Sequence, residues 1–162
     1  MARAGGRVAR SQRRYRLAFT VQYAVENDGL PTRGQLRTWV KAALQSDADV
    51  TVRLVGSEEG RALNRKHRGK DHATNVLTFA YSKTDPSSGD IALCVPVVAR
   101  EARRQHKDPQ AHYAHLVVHG VLHLQGYDHE RAADARLMEA VETEIVTGLG
   151  YPDPYKQTGN GK

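Results

Sequence analysis

The chain holds a single cysteine, Cys94, in 162 residues. A lone thiol excludes an intramolecular disulfide framework and any cysteine-based zinc finger, and it fits a reducing compartment. Long apolar runs are missing too. The longest, Ile91 to Ala99, is nine residues and contains Pro96, against the roughly 18 that a membrane-spanning helix needs. The sequence therefore predicts no transmembrane segment and no membrane partner. Acid is absent from the first sixteen residues, which carry Arg3, Arg7, Arg10, Arg13, Arg14 and Arg16. These six arginines account for the whole net charge of +6: without them 18 Lys+Arg face 18 Asp+Glu. The basicity thus belongs to an arm, residues 1–15, and not to the body of the chain. With Gly5, Gly6 and Ser11 such an arm cannot bury a core and is expected to be disordered, free either to lie along phosphates or to serve as a solubilising extension. Its acid-poor start also resembles an organelle transit peptide. A secretory signal is not expected, because no apolar stretch follows the arginines.

What remains is ordinary globular composition, 40% hydrophobic and 26% charged, in a length that suits one core. The sequence predicts one domain over residues 16–155 and a frayed tail over 156–162, with the prolines at 152 and 154 already fraying. Leu17, Phe19, Val21, Tyr23 and Val25 alternate with more polar neighbours, the period of two of a half-buried strand. Thr32 can cap a helix whose inner face is Leu36, Trp39, Val40, Ala43 and Leu44. A second strand follows at Val50, Val52 and Leu54, then a short helix capped by Ser57 and running out near His67. Beyond the polar loop 68–75, Val76 to Tyr81 and Asp90 to Val95 read as a hairpin around the turn residues 85–89. From Pro96 onward the signals are helical: one helix ending near His106, a longer one from Gln110 to Gln125 stopped by Gly126, and a third over 130–148 stopped by Gly148. Strands first and helices last predict an α+β fold, a single mixed sheet of about four strands packed with about five helices.

Five of the eight histidines fall between 112 and 129. His119 and His123 lie one turn apart on one helix face, so they can grip one ion. Gly126 tolerates the left-handed conformation that ends the helix and swings the chain back, which lets His129 approach from another direction. Three imidazoles with an open fourth position is the arrangement of a catalytic zinc site, here at the end of a helix. His115, one turn before His119, is either a fourth ligand or a packing neighbour, and a straight helix favours the second. His67, His72, His106 and His112 carry no ligand signal. The spacing His-x3-His-x5-His equals that of metzincin proteases, which place a glutamate general base directly after the first histidine. Here that position is Gly120, so proteolysis is not expected, and a glutamate introduced there is expected to stand beside the metal and repel phosphate. Asp128 and Glu130 flank the third histidine, and Asp128 is either an acid–base group or a turn cap.

The run His119-Gly120-Val121-Leu122-His123-Leu124-Gln125-Gly126-Tyr127-Asp128-His129 resembles the signature H-G-x-L-H-L-x-G-Y-D-H of the YbeY family, bacterial endoribonucleases of rRNA maturation. A second block, Leu63 to Phe79, is similar to the family's L-N-x-x-x-R-G-K-D-x-x-T-N-V-L-S-F segment, and Gly89-Asp90-Ile91 and the closing Leu149-Gly150-Tyr151 before Pro154-Tyr155 also fit. The resemblance spans about residues 16–155. Ala73 and Ala80 stand where proline is usual, and Thr78 where serine is. It implies a single-strand-specific, metal-dependent endoribonuclease with one zinc ion per chain. It also implies a role in rRNA maturation and ribosome quality control, in the cytoplasm, with rRNA and ribosomal proteins as partners and DNA not among them. Arg68 is the position on which the family relies, and its planar guanidinium suits bidentate phosphate contact. Lys70 adds substrate-binding charge, and Arg61, Arg65 and Lys66 are either RNA contacts or a solvated helix face. Two other readings stay open: a non-catalytic, zinc-stabilised rRNA or ribosome-binding factor, and, on spacing alone, a zincin-like hydrolase.

Overall fold

In a computed structural model that describes residues 14–156, the alternating segments form four strands: β1 (Leu17–Tyr23), β2 (Ala48–Val55), β3 (Val76–Ser82) and β4 (Ser87–Cys94). Five helices accompany them among the described residues: α1 (Arg33–Ala43), α2 (Ser57–Arg68), α3 (Val95–Arg104), α4 (Pro109–Leu124) and α5 (Ala132–Gly148). The sheet has the order β1-β2-β4-β3, with β1, β2 and β4 parallel and β3 antiparallel to β4. The expected α+β architecture with a single mixed sheet is the observed one. The arginine arm up to residue 13 and the tail from 157 lie outside the described residues.

Boundaries differ from the sequence reading where tertiary pairing overrides local signals. β4 starts at Ser87 and not at Asp90, because Ser87 pairs in register with Ala48 and its N–H donates to the Asp47 carbonyl at 3.1 Å. Gly56, not Ser57, is the N-cap of α2, and no side chain caps that helix. α5 runs through Gly148, and the left-handed residue is Gly150 at φ +99°. Tyr15 already packs against the core, so the folded body reaches into the segment read as arm. The stretch after α5 does not fray: Lys107 Nζ donates to the Pro154 carbonyl at 3.2 Å, and the Tyr155 hydroxyl donates to the carboxylate of Glu142.

The core fixes where the site can lie. α1 is held by a reciprocal cap, Thr32 Oγ1 accepting from the Gln35 N–H while the Thr32 N–H donates to Gln35 Oε1. Its buried face of Leu36, Trp39, Val40 and Ala43 meets α4, which also packs against α3, α5, β3 and β4. α4 is apolar nearly all round, with Leu116, Val117, Val118, Val121, Leu122 and Leu124 buried, as a helix enclosed by neighbours must be. Gly120 brings it close to the sheet: a Cβ there would stand 3.1 Å from Ile91 Cδ1 and 3.2 Å from both Ile91 Cγ2 and Thr78 Cγ2. Gly89 does the same from β4, where a Cβ would lie 2.5 Å from Leu124 Cδ2 and from the Phe79 carbonyl. The C-terminal half of α4 is thereby pinned over the β3–β4 edge.

Candidate metal centre and its cavity

α4 ends at Leu124, and the Tyr127 N–H returns to the Leu122 carbonyl at 3.0 Å around Gly126, which has φ +103°. This glycine-dependent reversal satisfies the last carbonyls of the helix. It also carries His129 back to the helix face that bears His119 and His123. Gln125 braces the reversal, its amide nitrogen donating to Ser87 Oγ at 2.7 Å and its oxygen accepting from the Gln45 N–H. The three imidazoles come together, with ring centroids 4.7 Å apart for His119 and His123, 4.8 Å for His123 and His129, and 5.5 Å for His119 and His129. One ligand atom from each lies within 4.8 Å of the others, a group that could hold a metal ion. Burial first, and then the close approach of the His119 and His129 imidazoles, pushes the His123 imidazole down to about 4, so it is neutral and has a lone pair available near pH 7.

A carboxylate that periodicity did not reveal underlies this cluster. Glu142 of α5 is fully buried. It accepts from His119 Nδ1 at 2.5 Å, from His115 Nε2 at 2.8 Å and from the Tyr155 hydroxyl. Burial alone would raise its pKa, but the hydrogen bonds from His115, His119 and Tyr155 outweigh it and hold Glu142 down to about 2. His115 therefore turns its Nε2 away from the three-histidine group and toward Glu142. The sequence did contain a signal, since Glu142 falls in register with Met138 and Ile145 on the buried stripe of α5, where a charge requires a partner.

The cluster opens into a cavity of about 960 Å³ whose lining includes His119, His123, His129, Arg68, Phe79 and Tyr81. Arg68 is the last residue of α2, and Gly69 at φ +70° ends the helix. The buried Asn64 then ties down the following loop through its Nδ2 and the His72 carbonyl at 2.7 Å. Arg53 clamps α2 to the sheet with two contacts to Glu59 at 2.7 and 3.0 Å. Of the expected basic stretch, Arg61 is engaged by Asp71 in two contacts of 2.7 and 2.9 Å, and Arg65 lies 3.6 Å from the same carboxylate. Arg68 makes no ion pair among the described residues. Lys70 is exposed and lies outside the cavity lining. Tyr81 is 71% exposed, its hydroxyl fixed by a 2.6 Å bond to Asp90, and His67 rests its ring 4.5 Å from that of Phe79.

Two residues flanking the histidines are placed differently from the cluster. Asp128 is exposed, accepts the Glu130 N–H at 3.2 Å and lines a separate cavity with Gln125, Gly126 and Leu137. Gly120 is buried against Ile91 and Thr78. A glutamate there would first crowd the side chains of Ile91 and Thr78 at 3.1–3.2 Å, two residues that also line the cavity holding the histidines. The carboxylates that do line the cavity, Glu59 and Asp90, are bonded to Arg53 and Tyr81. Among the described residues no helix is long and apolar enough to cross a membrane.

Comparison with known proteins agrees with this geometry. A sequence model described as Endoribonuclease YbeY matches residues 25–150. A curated relative from Nitrosomonas eutropha, named Endoribonuclease YbeY, is 60% identical over 137 residues, covering 85% of this chain and 97% of that protein. One of the same name from Cupriavidus pinatubonensis is 64% identical over 130 residues, covering 79% of this chain and 65% of that longer protein. A protein of Thermotoga maritima solved in solution is similar in fold, with a TM-score of 0.52 and 26% identity over 86% of this chain and 99% of its own. The chain belongs to the YbeY family of endoribonucleases.

Proposed function

We propose that the chain is a single-metal endoribonuclease that cuts single-stranded RNA in rRNA maturation and ribosome quality control. It works in the cytoplasm with ribosomal RNA and ribosomal proteins as its partners. The observation that carries this reading is the convergence, in one cavity, of a three-histidine group able to hold a metal with a guanidinium that has no ion pair among the described residues. Three imidazoles suit zinc, and a divalent ion held by His119, His123 and His129 would supply a Lewis acid for a phosphoryl oxygen. Arg68 offers two parallel N–H donors to the non-bridging oxygens of the same phosphate, where charge builds as the bond breaks. Lys70, outside the lining, acts on the approaching backbone through charge alone. Tyr81 supports the single-strand preference: an exposed ring held at a fixed angle can stack on a base that is unpaired, and a duplex hides that face. For Asp128 the turn geometry supports the capping role over acid–base work, and Asp128→Asn decides between them.

A second reading, a metal-stabilised rRNA-binding factor without catalysis, draws on one observation. The carboxylates lining the cavity are both already bonded, so no free general base faces the cluster among the described residues. The test is cleavage of labelled single-stranded RNA by the purified chain, with His119→Ala prepared identically as the control for trace nucleases. Cleavage by the wild type and none by the variant supports the nuclease. Binding of RNA without cleavage by either establishes the second reading.

A further inference from the structure

We infer that Glu142 is a positioning residue that presents His119 to the metal through Nε2, and that Tyr155, from the segment after α5, completes the hydrogen-bond shell that holds this carboxylate in place. This inference rests on the reading of His119, His123 and His129 as metal ligands. An ionised carboxylate accepts hydrogen bonds and cannot donate one. The 2.5 Å contact between His119 Nδ1 and Glu142 Oε2 therefore requires the hydrogen on Nδ1, and a neutral imidazole protonated there has its lone pair on Nε2. The tautomer and the ring angle of the first ligand are set by one buried bond.

Glu142 is itself held. It is fully buried on α5, and its other oxygen accepts from His115 Nε2 at 2.8 Å and from the Tyr155 hydroxyl. His115 and Tyr155 also touch each other, with Nε2 and the hydroxyl 3.3 Å apart and the rings edge-on at 5.1 Å. Three donors thus converge on one carboxylate, two from α4 and one from the segment after α5. That segment is held at a second point: the Tyr155 N–H donates to Asp153 Oδ1 at 2.9 Å within it, and Lys107 holds the Pro154 carbonyl. The segment past α5 docks through Leu149 and Tyr151 on the core, and the Tyr155 hydroxyl adds a third donor to a buried carboxylate with acceptor capacity left over. Glu142 also explains His115, which the helix places one turn before His119. His115 serves the same carboxylate and not the ion.

The experiment uses the full chain stripped of metal and titrated with Zn²⁺ against a chromophoric chelator, for wild type, Glu142→Gln and Tyr155→Phe. A carboxamide cannot accept from all three donors, so Glu142→Gln is expected to weaken zinc affinity by about 10–100-fold, the range for lost partners of metal-bound histidines. Tyr155→Phe removes one donor from an exposed residue and is expected to weaken it by roughly 2–10-fold, the equivalent of one hydrogen bond. Nitrogen-15 NMR of the histidine side chains in the metal-free protein should show His119 as the Nδ1–H tautomer in the wild type and a mixture in Glu142→Gln. If Glu142→Gln does not fold, Tyr155→Phe carries the test alone. A purely structural Glu142 would lower the melting point of the metal-free variants and leave affinity and tautomer at wild-type values, which would overturn the inference. A wild type that takes up no zinc would overturn the three-histidine reading and this one with it.

Discussion

Gly120 occupies the position at which zinc proteases carry their general base, and the structure gives a quantitative reason why no side chain belongs there. A Cβ on residue 120 meets Ile91 Cδ1 at 3.1 Å and Ile91 Cγ2 and Thr78 Cγ2 at 3.2 Å, inside the roughly 3.5–4.0 Å spacing of relaxed carbon contacts. Ile91 is fully buried in the core and cannot swing away. Gly120→Ala therefore sets a helix-propensity gain of about 1 kcal/mol against an overpacking cost of about 1–3 kcal/mol. The net is between zero and about 2 kcal/mol of lost stability, a fall in melting temperature of up to roughly 8 °C for a chain of this size. Gly120→Glu adds to the same overpacking a buried carboxylate without a partner, costing at least about 1–3 kcal/mol more. A melting point lower by about 10 °C is expected, with metal content reduced as α4 is displaced. Circular dichroism melts of the two variants beside the wild type check this. A Gly120→Glu protein melting within about 2 °C of wild type would refute the close approach of α4 to the sheet. Metal-dependent proteolysis by such a protein would show that a carboxylate at 120 does reach the ion.

Arg68→Lys keeps the charge and loses the two-pronged contact. It is expected to lower kcat/KM on single-stranded RNA by about 10–100-fold, the equivalent of about 1.5–3 kcal/mol for a charged hydrogen bond. Metal content should be unchanged, and wild-type cleavage by Arg68→Ala would remove Arg68 from the site. Tyr81→Ala should weaken binding of single-stranded RNA by about 5–100-fold, from the roughly 1–3 kcal/mol of one stacked base, while duplex binding stays level. Equal loss on both substrates would contradict stacking. Deleting residues 1–13 removes Arg3, Arg7, Arg10 and Arg13 and should flatten the salt dependence of RNA binding by up to about 3 in log–log slope. Turnover at saturating RNA should stay unchanged. Filter binding across a salt series reads this directly, and an unchanged slope would make the arm a passive extension.

Much of this site is legible in the sequence because its determinants are local. His119 and His123 are one turn apart on one helix, and Gly126, which brings His129 back, lies between His123 and His129 in the chain, so spacing alone brings the three together. Arg68, read as the first residue of the polar loop, is instead the last residue of α2, one position from where the sequence ends that helix. The alternation in β1 and β2 and the cap at Thr32 are likewise written within a few residues of where they act. What spacing did not show depends on distant partners. Glu142 serves His119 across 23 positions, and Arg61 is neutralised by Asp71 only because the loop folds back beside α2. Tyr155 is the last residue of the expected domain, but nothing in its neighbourhood names its buried acceptor. The crowding at Gly120 comes from β3 and β4, which no pattern within α4 reports. The one distant partner that left a trace is Glu142, an acid on an otherwise apolar stripe.

The central claim is that one ion held by His119, His123 and His129 makes this chain a nuclease. The most direct measurement is RNA cleavage by the chelator-stripped protein as zinc is returned in fractions of an equivalent. Activity absent at zero metal, rising linearly and reaching its plateau at about one zinc per chain, with no recovery in His123→Ala, is the predicted result. Full cleavage by the stripped protein, or recovery in His123→Ala at the same stoichiometry, would contradict it.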